Sequence, residues 1–224
     1  MQHDHHYPHL GSLTQNTSFD SWHDFGVTQI TPGTQEWLDQ VVEDIVEPDL
    51  PILDPHHHMW PQGQGLPYTR NDLHRDAGAG HNVVKTIFME CGSAYNREAP
   101  EQLRSLGETK YIADEAFSDP NPLIAGIVSH IDLRRDDRDE LLDMHVEVSR
   151  GLFRGIRDAL ALATHPEAMM IPGHAMKDLY LDADFRRGVA RLGERGFTYD
   201  SWHYHHLNRE FLELARATPG TTMV

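Results

Sequence analysis

The amino-acid sequence predicts an α/β protein of the (β/α)8 barrel type, carried through about five and a half βα units. Three observations predict it. Apolar, β-branched runs alternate with segments of helical period five times in succession, which makes the sheet parallel. Polar side chains gather at the C-terminal ends of those runs: His56 and His58, Glu90, His130 and Asp132, Arg157 and Asp158, then the stretch 202–206. A barrel brings all of these to one mouth, whereas an open doubly wound sheet gathers only those beside its switch point. No glycine-rich phosphate loop follows the first run, which argues further against an open nucleotide-binding sheet.

The elements follow in order. Residues 1–33 carry the breakers Gly11, Pro32 and Gly33 and a histidine-rich stretch, His3-Asp4-His5-His6-Tyr7-Pro8-His9, without periodicity. They read as an irregular N-terminal segment, and 34–224 as the partial barrel. Apolar pairs at 37/38, 41/42 and 45/46 predict a helix over 35–46, with Thr34 as N-cap and Pro48 and Pro51 beyond its end. Leu50-Pro51-Ile52-Leu53 then opens the first strand. Residues 83–91 are nearly continuous in apolar character, as a parallel strand buried on both faces should be. A helix over 108–118, a third strand at 123–129 and a helix over 136–150 follow, the last with Leu141, Leu142, Val146 and Val148 among its apolar positions. Residues 153–157 form a short fourth strand. The stretch 159–181 is loop-rich, and its 159–176 portion has the composition of a mobile lid or a packed Ω-loop. Asp182 caps a helix ending near Arg195, with Gly196 suited to the position after it. A fifth strand at 197–202, a helix at 208–217 and the start of a sixth strand at 221–224 complete the chain.

The totals exclude several function classes. A chain of 224 residues is long enough for one full core. Mean hydropathy is −0.55 and no run approaches a membrane span, so neither a membrane nor a secretory signal is read. A formal charge of −16 argues against nucleic acid or an anionic bilayer as partner. A single cysteine excludes an internal disulfide framework and suits a reducing cytoplasm. The expected partner is a small-molecule substrate, with room for a homo-oligomer.

The chemistry concentrates in Asp54-Pro55-His56-His57-His58-Met59-Trp60. Along a strand, residues i and i+2 lie on one side, roughly 6.5–7 Å apart. His56 and His58 therefore project together into a metal site or polar pocket, and His57 projects away. Asp54 shares their side, where it either orients an imidazole or caps the strand end. Glu90 ends the second strand as a base, a ligand or half of an ion pair. Cys91 reads as a small buried hydrophobe rather than a nucleophile. Arg154 and Arg157 differ in parity, so one of them faces the mouth. Arg157, nearer the C-terminal end, suits a carboxylate clamp. One of His203, His205 and His206 completes the pocket, and the residues barely separate them; His130 and His174 are weaker candidates.

With these residues in view, the chain resembles the amidohydrolase superfamily, in its amidohydrolase-related (amidohydrolase 2) branch of metal-dependent TIM-barrel hydrolases. The matching residues are 52–60, Gly80-His81-Asn82-Val83-Val84 leading to Glu90-Cys91, 124–128, Phe153-Arg154-Gly155-Ile156-Arg157, 196–202 and Tyr204-His205-His206-Leu207. The resemblance covers about 35–224. It implies that His56, His58 and His205 hold a divalent metal, zinc or manganese, or meet the substrate directly in a metal-free mechanism. It implies that Arg157 binds a substrate carboxylate or lactone oxygen, with Glu90 beside it. His206 stands where the family often has proline. The implied activity is hydrolysis of a lactone, ester or amide in a small carboxylated or aromatic compound, with non-oxidative decarboxylation as the alternative. The family's strand-six histidine and strand-eight aspartate would lie beyond Val224. The chain is accordingly expected to be a fragment, or an inactive one.

Overall fold

A computed structural model of the protein describes residues 34–64, 66, 68–158, 161–168 and 176–224. The irregular reading of 1–33, and His174 with the middle of the lid-like loop, lie outside the described residues. The chain divides into two compact units, Met1–Pro48 and Asp49–Val224.

In the first unit, α1 spans only Gln35–Leu38, capped by Thr34, whose hydroxyl accepts from the Trp37 N–H at 3.2 Å. The helix expected to reach residue 46 stops there. Val41, Val42 and Val46 are 69%, 90% and 91% exposed, so no packing supports them. A short helix needs such packing, and a valine-rich segment has little intrinsic helical preference to replace it.

In the second unit, β1 (Ile52–His57), α2 (Arg70–Ala77), β2 (Val83–Met89), α3 (Ser105–Ser118), β3 (Ile124–Ser129), α4 (Arg138–Val148), β4 (Phe153–Arg157), α5 (Ala183–Glu194), β5 (Thr198–Asp200), α6 (Asn208–Ala217) and β6 (Thr222–Met223) follow one another. Six parallel strands pair in sequence order, β1 to β6, in a curled partial barrel. Among the described residues, no helix is long and apolar enough to cross a membrane.

The helices cover the sheet with two apolar clusters. Leu73, Phe88, Ile112, Ala113, Ala116, Ile124 and Ile127 form one, built from α2, α3 and β2–β3. Leu141, Leu142, Phe153, Val189, Leu192, Tyr199 and Leu214 belong to the other, built from α4–α6 and β4–β5. Between β4 and β5 the backbones approach so closely that a Cβ on Gly155 would overlap Thr198. Asp182 caps α5 by accepting from the Phe185 N–H at 2.8 Å, and Gly196 takes φ +75° just after it, as the sequence predicts.

In this unit β5 ends at Asp200 rather than 202, and α2 and α4 also differ from expectation. The helix α2 has one buried residue, Leu73, and too little apolar stripe to announce itself. Its signal is the capping box of Thr69 with Asp72. On α4, Val146 points outward, and His145 completes the buried stripe after Leu141 and Leu142.

His145 is fully buried in a polar cluster: Nδ1 lies 2.8 Å from Thr109 Oγ1, Nε2 lies 3.3 Å from Ser105 Oγ, and Thr109 Oγ1 lies 2.8 Å from Ser129 Oγ. Hydroxyl partners satisfy a neutral ring. Burial pushes its pKa down to about 3, with a further lowering by His130. Burial likewise pushes His57 down to about 4. Both rings are neutral in the fold and titrate near 6.5 when unfolded, so the unfolded chain binds more protons at acid pH. Their contribution is therefore present above about pH 6.5 and lost as the pH falls through 4 to 3, at up to about 1.4 kcal/mol per pH unit for each group. Urea titrations at pH 7, 5 and 4 are expected to show this decline, with a shallower slope in His145→Gln.

Candidate active site

The strand β1 builds the first part of the site. Pro55 has no N–H to give to a ladder, and the β1–β2 register slips between Asp54 and His57. Asp54 fills the gap: its Oδ1 accepts from the His56 N–H at 3.0 Å, which makes it a strand-end cap. The predicted alternation holds across this bulge. His57 is buried, edge-on to Phe88 at 5.8 Å between ring centroids. His56 and His58 meet on the other side, with Nε2 to Nε2 at 3.2 Å.

The tautomer of His58 follows from its partner. Nδ1 lies 2.8 Å from the Met89 carbonyl oxygen, which only accepts, so Nδ1 carries the proton and Nε2 keeps its lone pair. Burial, then the Arg157 charge, hold His56 below the usual histidine range, and burial does the same for His58. Both rings are neutral at neutral pH, and with His58 Nε2 bare the 3.2 Å contact is His56 Nε2–H donating to it. Beside them, Asp54, His56, His57, His58, Trp60, Leu66 and Tyr68 line an open cleft of about 510 Å³.

Glu90 and Arg157 close together next to the histidines. Arg157 Nε donates to Glu90 Oε1 at 2.8 Å, and Nη2 donates to the Glu90 carbonyl. Their side chains are 14% and 10% exposed, so this is a mostly buried pair. Arg157 Nη1 makes no hydrogen bond among the described residues. Arg154, of opposite parity, is exposed and donates to the Ala125 and Gly151 carbonyls.

Further carboxyls surround the pair. Asp200 at the end of β5 is the register partner of Arg157. Burial holds it above the usual carboxylate range, although the Thr198 hydroxyl donates to it at 2.8 Å and Arg157 lies near. Burial also pushes Asp158 up to about 6. His130 donates Nδ1–H to the Arg157 carbonyl at 3.0 Å. Burial disfavours its charged form, but the Asp158 and Glu90 carboxylates outweigh that and hold it above the usual range. Cys91 is no nucleophile: burial and Glu108 push its thiol up to about 12.

Sequence reasoning left Asp200 and Glu108 aside. Asp200 is the last residue of the short strand β5, and Glu108 breaks the buried stripe Ser105, Thr109, Ile112, Ala113 and Ala116 of α3. An acid on an apolar stripe is the signal that was available.

His205 is exposed at the start of a 3-10 turn, His205–Leu207, with its nearest ring contact to His206 at 6.0 Å. Among the described residues, no hydrogen bond or ring contact joins it to His56 and His58. His203 is instead held by Ser201 Oγ at 2.8 Å, Tyr180 at 3.0 Å and Asn208 Oδ1 at 3.0 Å. Among the described residues, no group of three His, Cys, Asp or Glu side chains is placed to hold a metal ion.

Comparison with known proteins adds to this geometry. No family model matches the sequence. An amidohydrolase from Burkholderia multivorans, crystallised with bound zinc, superposes on 76% of this chain and 55% of its own at 21% identity, with a TM-score of 0.52. Over that span the chain shares the fold of that protein. A second crystal form of that amidohydrolase, with bound HEPES, gives 19% identity over the same shares and a TM-score of 0.51. In sequence, the uncharacterized protein y4mH of Sinorhizobium fredii is 28% identical over 205 residues, 79% of this chain. The chain spans 61% of the length of that relative and 55% of the amidohydrolase structures.

Within the shared fold, His56 and His58 lie at the C-terminal end of the first strand, with Glu90 and Arg157 at the ends of the second and fourth. Arg157 depresses and Glu90 elevates the pKa of His56. Opposite shifts are therefore expected in NMR titrations of the His56 ring: upward in Arg157→Gln, downward in Glu90→Gln. Each variant also strands a mostly buried charge, and denaturation is expected to show a loss of about 3 kcal/mol.

Proposed function

We propose that the protein is a hydrolase that opens a lactone, ester or amide bond in a small carboxylated or aromatic compound. The observation that carries this reading is the His56–His58 pair, with two imidazole Nε2 atoms 3.2 Å apart at the mouth of a parallel barrel.

The pair fits a divalent metal such as zinc or manganese. Two nitrogens bound to one tetrahedral zinc at about 2.0–2.1 Å stand about 3.3 Å apart, close to the separation found here. The donor set suits a cation as well: His58 is locked in the correct tautomer by the Met89 carbonyl, and both rings are neutral. A bound ion there would act as a Lewis acid on a carbonyl oxygen and acidify a water. The zinc in the Burkholderia multivorans amidohydrolase supports the choice of a metal.

The chain's own groups do the rest. Trp60, Tyr68 and Leu66 offer an apolar and aromatic wall for a ring. Arg157, aimed by Glu90, presents its remaining guanidinium edge to a substrate oxygen. His205 is not called on.

A panel of lactones and aromatic esters, assayed with metal analysis by mass spectrometry, tests the reading. Ring opening without carbon dioxide is expected, with about one ion per chain. The double variant His56→Ala, His58→Ala is expected to lose the ion and about a hundredfold or more in kcat/KM. Carbon dioxide release would favour decarboxylation, and unchanged turnover in the double variant would remove the histidine pair from the mechanism.

A further inference from the structure

Glu108 is 1% exposed and has no cation beside it in the hydrogen-bond and ion-pair pattern of the described residues. Its Oε1 accepts from the Ser93 N–H at 2.7 Å and the Cys91 N–H at 3.2 Å, with the Cys91 thiol 3.7 Å away. Burial, then the Glu90 charge, hold its carboxyl well above the usual range. Such a burial is costly unless the bonds it makes are needed.

The turn it holds is strained. Gly92 takes φ +75° and Ala94 takes φ +50°, a left-handed conformation that a non-glycine residue rarely adopts. The neighbouring residue of α3 presses on the same turn: a Cβ on Gly107 would stand 2.5 Å from the Ala94 carbonyl and 2.8 Å from the Asn96 nitrogen. The start of α3 thus clasps residues 91–96 through one close backbone approach and one carboxyl. Immediately before the turn is Glu90, whose N–H donates to the Val128 carbonyl at 2.9 Å and whose carboxylate and carbonyl hold Arg157.

We propose that Glu108 is the positioning residue of the candidate site: it fixes the strained turn after β2 and, through it, the place of the Glu90–Arg157 pair at the barrel mouth. Glu108 touches no reacting atom in this role. The proposal rests on the turn and the pair, and it stands or falls separately from the hydrolase reading.

The test uses the full chain and two probes. Cys91 is the sole cysteine, so its alkylation by iodoacetamide reports this turn alone. The Arg157 Nε–H resonance, assigned by its loss in Arg157→Lys, reports the pair. Glu108→Ala removes the acceptor, and Glu108→Asp keeps the carboxyl but draws it back by one methylene, which also serves if the alanine variant does not fold. In both, alkylation at neutral pH is expected to rise at least about tenfold and the Arg157 resonance to shift or vanish through exchange. Glu108→Gln, whose carbonyl accepts the same two N–H groups, is expected to keep the Arg157 resonance near wild type and to raise alkylation far less than the alanine variant, by the loss of the carboxyl's own effect on the thiol. A role confined to steadying α3 would lower Tm and leave the Arg157 resonance in place, and that result would overturn the proposal. So would a glutamine variant that behaves like the alanine one.

Discussion

The two-residue period of β1 is the constraint on which the rest of the site depends. With three histidines in a row and one face of the strand committed to the helix layer, the backbone must separate them. His57 goes to the Phe88 side and is held neutral by burial. His56 and His58 are left to share the opposite side, where their Nε2 atoms meet. The bulge at Pro55 does not disturb this, because the Asp54 carboxylate takes the His56 N–H that the ladder leaves over.

Charge is the second organising feature. Glu90 and Asp200 lie beside the Arg157 guanidinium, and Glu108, Asp158 and His130 feel the charge of Glu90. Burial raises three of these acids, and only Glu90 is paired directly with the arginine. Burial favours the neutral form of those three, so the negative charge that meets Arg157 directly is that of Glu90. Arg157 is tied on two sides by Glu90 alone, through its carboxylate and its backbone carbonyl.

Much of this was legible in the sequence where the periodicity of a continuous element carried it. Phe153–Arg157 reads as a strand from its apolar run, and its parity separates Arg157 from Arg154. His56 and His58 are legible for the same reason. Legibility failed where context outweighs pattern. The apolar pairs after Leu38 look helical, but their valines are exposed and no described residue buries them. His203, His205 and His206 stay undivided because the strand ends at Asp200 and the chain turns into a 3-10 helix, where parity no longer applies. Glu108 was legible only as an acid on the buried stripe of α3; its partners, backbone N–H groups of a strained turn, leave no mark in the side-chain pattern.

The most direct test of the account is the state of the three adjacent imidazoles. Long-range nitrogen–proton NMR of the chain, with and without zinc, reads each ring. The account predicts a His58 protonated on Nδ1 with a bare Nε2, a His57 that stays neutral and unmoved, and shifts of the His56 and His58 Nε2 signals together on adding the ion. A His58 protonated on Nε2, or a response at His57 in place of its neighbours, would contradict it.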